Sequence, residues 1–345
     1  MSNRPALAAE VKPPAALDPH ERAAWADAQA ATPHLRRAFF TAGFARACGE
    51  AWPSARVAVF RESGEIAAFF PFQFAGPWER RMGLAERIGG SMSDHAGVIA
   101  RPGFRIAPDV LLWKAGIGAM FVDHLTEGQE AFGLSTEEAR PGHVIDLAAG
   151  PAAYFAALGA ANKGFLADTE RRMRRLEKEY GAARFTFTDQ PSWGDVQSLI
   201  EVKRAQYART GVGDSFADPA KLALVRALVT AADPDCRPVL TTLAAGGRVL
   251  ARHLGLLHAG HLSYWFPVYD PEAQKVSPGR MLLWETIRAA DRHGVTWIDR
   301  GEGDNQAKQD FSTGVQQFGR ARWRAGGVRG FAADAFQRVR WRLAE

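Results

Sequence analysis

The groups best suited to chemistry cluster in residues 262–311. A loop ending Ser277-Pro278-Gly279-Arg280-Met281 leads into an amphipathic helix, so amides without helical partners lie beside a glycine and a cation. Such an opening suits an anion, because the helix dipole and the unpaired N–H groups both favour negative charge there. Gly279 would let a ligand phosphate approach the backbone and Arg280 would supply a fixed cation; the same residues also make an ordinary helix start, with proline in its first turn. Three carboxylates follow, Asp299, Glu302 and Asp304, with Lys308 close behind. They are candidate proton acceptors, and Lys308 is either their ion-pair partner or a cation facing a ligand. His253, beside Arg252, is a candidate base that titrates near neutrality, or a packed strand residue.

These side chains need a scaffold. Strand-like runs at 237–244, 248–257 and 262–268, joined by Gly246-Gly247 and Ala259-Gly260, read as an antiparallel meander. With a helix over 281–292 and a strand at 295–299 the order is β-β-β-α-β, an α/β unit. Helices are expected at 151–158, 164–180, 193–208 and 219–231, with a strand at 184–188. In the first half, residues 1–20 are rich in Ala and Pro and expected as a disordered leader. A helix is expected from Thr32-Pro33 through Leu35, Phe39, Phe40 and Phe44, then a hairpin from 57–60 and 66–74, a helix near 108–115 and a closing strand at 143–147. The turn positions of the two hairpins form a faint repeat, which fits two copies of one unit or two unrelated hairpins. The expected divisions are 1–20, 21–150, 151–330 and a basic helix at 331–345. Two further polar loops stand out: one from Arg209 through Asp214, and one ending in Asp94 and His95. Either loop could hold an acceptor, and the first also reads as a helix-ending turn.

Length and composition limit the classes. A chain of 345 residues with 47% apolar and 23% charged residues is expected to fold as two globular domains. Its longest apolar runs fall short of a bilayer span, and its start lacks the apolar core of a secretory signal. Cys48 and Cys236 alone suggest neither a disulfide framework nor a metal cluster, so a reducing cytoplasm and a metal-free enzyme are expected. The net charge of +5 suits an anionic partner such as a nucleotide phosphate, RNA or an acidic lipid surface. DNA is not expected, because the run Arg171-Arg172-Met173-Arg174-Arg175 is mixed with Glu170, Glu177 and Glu179 as on a solvated helix face.

One combination is more specific: Lys203-Arg204-Ala205-Gln206-Tyr207 through Thr210-Gly211, Gly246-Gly247-Arg248 through His253, Tyr264-Trp265-Phe266 with Asp270, Ser277-Pro278-Gly279, and Asp299-Arg300-Gly301 through Gly303-Asp304, Lys308 and Phe311. It resembles the GNAT acyltransferases of the CelD-like type found with bacterial polysaccharide biosynthesis, which are similar to Fem-type peptidyltransferases. The resemblance spans roughly residues 30–325 and implies tandem GNAT-like units, mixed sheets flanked by helices. It further implies direct transfer from acetyl-CoA or another acyl-CoA to an amine or hydroxyl of a small or sugar-like acceptor. The pyrophosphate would sit at Ser277, Gly279, Arg280 and Met281, and the thioester beside Phe266 and Val268. Arg209, Asp214, Tyr264, Asp94 and His95 would face the acceptor. Asp299, Glu302, Asp304 or His253 would act as base, with Lys308 at the oxyanion. Peripheral association with envelope-synthesis machinery is expected. The alternatives are a non-catalytic component of a polysaccharide-synthesis complex and a Fem-like transferase using aminoacyl-tRNA.

Overall fold

The computed structural model describes residues 6–344, and the chain divides into two compact units. One is built from residues up to Arg140 together with those from Gln317 onward; the other is Pro141–Gln316. In chain order the first elements are β1 (Leu7–Lys12), α1 (Pro19–Ala31), α2 (Ala42–Ala51), β2 (Arg56–Glu62) and β3 (Glu65–Gln73). There follow α3 (Pro77–Met82), β4 (Leu84–Arg87), β5 (Ile99–Ala100), α4 (Pro108–Lys114) and β6 (Ala119–Thr126). The second unit holds β7 (Glu138–Asp146), α5 (Pro151–Ala161), α6 (Lys163–Tyr180), β8 (Ala183–Asp189), α7 (Trp193–Thr210) and α8 (Pro219–Ala231). It continues with β9 (Arg237–Ala245), β10 (Arg248–His258), β11 (His261–Tyr269), α9 (Pro278–Arg288), β12 (Trp297–Glu302) and α10 (Gln306–Gln309). The chain ends with β13 (Gly314–Arg324) and α11 (Gly327–Ala344).

Both units follow one plan. In the first, the strands run β1-β2-β3-β4-β6-β13, with β5 also on β3; β4 and β6 are parallel and the other pairs antiparallel. In the second, the order is β7-β12-β11-β10-β9-β8, and only β11 and β12 are parallel. Each sheet is thus a meander closed by a parallel pair, and the parallel connection requires a crossover, which α9 supplies in the second unit. Its buried Met281, Leu282, Leu283 and Ile287 pack on the sheet with Leu250, Leu262 and Ile298. The faint repeat is therefore a repeat of topology.

Four expectations are corrected. The segment expected as a disordered leader contains β1, which pairs along β2 from Leu7–Glu62 to Lys12–Val57; its residues 1–5 lie outside the described residues. Glu21 holds this edge, accepting from Lys12 Nζ and Arg61 Nη2 at 3.0 Å each while completing a capping box with Asp18. The continuous helix expected from Pro33 is instead two short 3-10 turns before α2, which begins after its cap Thr41. Trp25 Nε1 donates to the Phe40 carbonyl and Gln29 Nε2 to those of Leu35 and Arg37, so α1 takes carbonyls that a helix would have used. The boundary falls at 140/141 instead of 150/151, and 317–330 belongs to the first unit, because β7 pairs with β12 and β13 with β6. The terminal helix begins at Gly327, earlier than 331; Glu345 lies outside the described residues. Among the described residues no helix is long and apolar enough to cross a membrane.

Candidate functional site

The ladder between β11 and β12 is short. It pairs His261 with Trp297, Leu262 with Ile298 and Ser263 with Asp299, then stops, although β11 runs on to Tyr269 and β12 to Glu302. Beyond Ser263 the described residues offer β11 only β10 as a ladder partner, so its other edge can pair with an entering ligand. A register shift on β10 between Leu254 and Leu256 marks the same level. Gly255 occupies it because a Cβ there would come within 2.7 Å of the Ser263 carbonyl oxygen.

Buried polar atoms collect where the strands part. Ser263 Oγ, Tyr264 OH and Arg300 Nε are buried and have no hydrogen-bond partner. Each such atom costs on the order of 1–3 kcal/mol when left unpaired, so Tyr264 and Arg300 mark a place built for a polar ligand, while Ser263, the preceding residue on the strand, faces the other side of the sheet. Burial raises the Tyr264 pKa, against a smaller opposing effect of the Arg300 charge, which keeps the hydroxyl a neutral donor. Arg300 itself lies 6.0 Å from the Tyr264 ring centroid and donates to the Ala307 carbonyl at 2.7 Å.

The start of α9 is the second part of the site. Ser277 is its cap in left-handed backbone, at φ 52°, and its carbonyl accepts from Arg280 N at 3.0 Å and Met281 N at 3.1 Å. Pro278 has no N–H, and the Gly279 amide, a first-turn donor beyond the reach of the helix's own carbonyls, is without an acceptor among the described residues. Space lies over it: a Cβ on Gly279 would meet only Tyr269 Cδ1, at 3.9 Å. Ser277 Oγ accepts from Arg172 Nη1 at 3.0 Å. Arg280 turns onto α6, donating to Asp168 Oδ2 at 2.8 Å, to the Phe165 carbonyl at 2.9 Å and to Thr169 Oγ1. Asp168 also pairs with Arg171 and Arg172, and the hydrogen bond from Arg172 leads in holding its pKa down to about 2. Three guanidiniums sharing one carboxylate leave positive charge at the helix start.

The remaining sequence candidates divide by what holds them. Asp299 is buried, with Oδ1 accepting from Gly301 N at 2.8 Å and Gln316 Nε2 at 2.7 Å, so it shapes the turn after β12. Lys308 Nζ donates to the carbonyls of Gly301 and Glu302 at 3.1 and 2.6 Å, bracing that turn. Asp304 accepts from Gln309 Nε2 at 2.6 Å and lies 2.9 Å from His143 Nε2; these contacts lower its pKa, Gln309 first. Glu302 is partly exposed at the end of β12. His253 is fully buried, stacked on Tyr264 with ring centroids 3.7 Å apart, and its Nε2 accepts from Trp265 N at 3.2 Å. Met281, Phe266 and Val268 are buried; Phe266 lies 5.2 Å ring to ring from Phe216. Asp214 accepts from Arg204 Nε at 2.7 Å and from Phe216 N at 2.9 Å, so the expected acceptor loop does reach Phe266. Arg209 is exposed at the end of α7. Asp94 and His95 belong to the first unit, where His95 is buried with Nδ1 2.7 Å from Thr126 Oγ1 and its ring 5.2 Å from that of Phe318.

Sequence reasoning passed over Ser263, Arg300, Arg172 and Asp168. Arg300 carried a signal, as a lone arginine between apolar β12 residues and a glycine turn; Arg172 reads only as part of a solvated basic face, and nothing local marks Asp168.

The repeated meander, the parallel pair that separates and the helix crossing between them are the GNAT fold, here in two tandem units. Residues 163–309 match the family model described as acetyltransferase (GNAT) domain. Solved structures agree on the fold. A tandem GNAT protein from the clavulanic acid biosynthesis pathway has a TM-score of 0.53 at 13% identity, covering 94% of this chain and 100% of that chain. FemX aligns with TM-score 0.58 and 11% identity over 91% of this chain and 96% of its own. The C-terminal DUF2156 domain of a candidate lysylphosphatidylglycerol synthetase from Agrobacterium fabrum aligns with TM-score 0.54 and 13% identity, over 90% and 94%. No curated protein matches the chain by sequence.

Proposed function

We propose that the second unit transfers an acyl group from acyl-CoA to an amine or hydroxyl of a small or sugar-like acceptor, as in polysaccharide or cell-envelope building. The pairing of Tyr264 OH and Arg300 Nε where β11 leaves β12 carries this reading, because both are buried without a partner, the Arg300 guanidinium lies 6.0 Å from the Tyr264 ring, and a thioester carbonyl seated there would give them one. The donor's pantetheine amides extend along the β11 edge toward Tyr269, and its pyrophosphate takes the Gly279 amide with Arg172 and Arg280 around it. The match of residues 163–309 to the acetyltransferase (GNAT) domain supports a CoA donor.

The acceptor's nucleophile attacks the thioester carbon, the carbonyl electrons move to oxygen, and Tyr264 and Arg300 stabilise that oxyanion. Collapse expels the CoA thiolate, and the nucleophile's proton passes to Glu302. Glu302 is the partly exposed carboxylate at the end of β12, whereas Asp299 is buried and holds Gly301 and Gln316. Lys308 fixes the backbone that carries it.

Acetyl-CoA at about a hundred times its Kd should stabilise the protein by about 2.7 kcal/mol, read as a rise in melting temperature. No shift with any acyl-CoA would end the proposal, and salt-sensitive tRNA binding in its place would move the donor to aminoacyl-tRNA. Glu302→Gln should keep the shift and lower turnover by roughly 10²–10⁴-fold.

A further inference from the structure

The first unit carries a surface that this chemistry does not use. In α11 the residues Val328, Phe331, Ala332, Ala335 and Phe336 fall on one helical stripe, spaced i, i+3, i+4, i+7 and i+8. A helix of a globular protein turns such a stripe to the core. Here the stripe faces outward: all five residues are exposed, Val328 at 86%, Phe331 at 59% and Phe336 at 41%. The helix instead sits on the unit through small residues. Ala333 is fully buried against Leu84 and Ala119, and a Cβ on Gly330 would come within 2.0 Å of the Ala325 carbonyl oxygen. The sequence continues the apolar spacing with Val339 and Leu343, and the helix carries Arg329, Arg338, Arg340 and Arg342 against one acid, Asp334.

Two more exposed aromatics stand on neighbouring elements, Trp78 in α3 at 68% and Trp113 in α4 at 66%. With Phe331 and Phe336 they are the large aromatic residues exposed among the described residues, and none lies in the second unit. Their helices are rooted together. Gly118, just after α4, donates to the Gly83 carbonyl at the end of α3 (2.8 Å) and accepts from Ala325 N before α11 (2.9 Å). A Cβ on Gly118 would come within 2.9 Å of that of Ala333. Cations accompany three of these aromatics: exposed Arg80 and Arg81 follow Trp78, Lys114 Nζ lies 5.2 Å from the Trp113 ring centroid, and Arg324 stacks 3.7 Å over Phe331.

We infer that this face binds the surface of an anionic lipid bilayer, with α11 lying in the headgroup plane. Trp and Phe suit the boundary between headgroup and acyl chain, and arginines beside them meet acidic headgroups. The aliphatic members of the stripe, Val328, Ala332 and Ala335, have no counterpart in a nucleic acid, which would use the cations at its phosphates and the aromatics for stacking. Among the described residues no helix is long and apolar enough to cross a membrane. Binding at this face does not depend on the acyl-transfer reading.

The test is sedimentation of the full chain with vesicles of phosphatidylcholine and phosphatidylglycerol, against phosphatidylcholine alone. The chain should pellet with the anionic vesicles and be released by salt. Trp78→Ser with Trp113→Ser, Phe331→Ser, and Arg80→Glu with Arg81→Glu should each weaken binding roughly tenfold or more. These side chains are exposed, so melting should stay unchanged. Should a variant misfold, quenching of wild-type tryptophan fluorescence by brominated phosphatidylglycerol decides, and absence of quenching overturns the inference. It is equally overturned by failure to pellet, by binding that the substitutions leave intact, by RNA competing on the same face, or by a dimer that Phe331→Ser dissolves while vesicles go unbound.

Discussion

His253 sits in full enclosure against the Tyr264 ring, with its Nε2 lone pair committed to the Trp265 amide. Burial, with a smaller push from the Arg300 charge, lowers its pKa from 6.5 to about 3. At neutral pH it is a neutral acceptor inside the sheet. The unfolded chain takes up a proton near pH 6.5 that the folded chain refuses until about pH 3. Stability from this group is therefore complete above pH 6.5 and is lost as the pH falls toward 3, by about 1.4 kcal/mol per pH unit. Urea unfolding at a series of pH values should show this slope in the wild type, and His253→Gln should remove that component. An unchanged slope would mean that the imidazole is hydrated. The enclosure itself was not legible in the sequence, where His253 beside Arg252 read as a packed strand residue more readily than as a base. What decides between them is the shift on β10 that puts Gly255 against the Ser263 carbonyl, a contact between strands.

At the scale of the element, α9 is the part most fully written in the sequence. Proline at its first position and buried residues at Met281, Leu282 and Ile287 follow local rules of helix starts and amphipathic faces, whereas the left-handed backbone of Ser277 before it does not. The strands around it were equally readable, since Gly246-Gly247 and Ala259-Gly260 make the turns of the meander. What encloses the start of α9 was not, because Asp168 and Arg172 come from α6, far earlier in the chain. Gly279 gives a clean test. Its backbone is not left-handed and its Cβ position is open, so Gly279→Val should fold and melt within about 1 kcal/mol of the wild type. The added methyls would cover the one first-turn amide left without an acceptor. The melting shift given by acetyl-CoA should vanish, or its Kd rise at least tenfold by titration calorimetry; unchanged affinity would place the pyrophosphate elsewhere.

The division of the whole molecule is the feature that local reading could not supply. A strand at 143–147 looked like the end of the first half, and the stretch to 330 like one continuous second domain. Pairing is what assigns each strand to a sheet: β7 joins β12, and the residues after 316 return to β6. The same holds for β1, whose six residues give no strand signal until Arg56–Glu62 lies beside them. A cut after residue 316 should therefore damage the first unit, although it removes only the end of the chain. It takes away Phe318, Ala321 and Trp323, all buried, and leaves β6 without its antiparallel partner. Loss of a buried phenylalanine alone costs about 3–5 kcal/mol, a large part of the 5–15 kcal/mol that typically holds a domain together. A cut after residue 326 keeps β13 and removes α11, whose Ala333 is its contribution to a small core cluster among the described residues. Amide exchange over β6 should show protection lost in the shorter chain and kept in the longer one. Equal protection in both would show that β6 holds without β13, and that the unit's sheet is complete at residue 140.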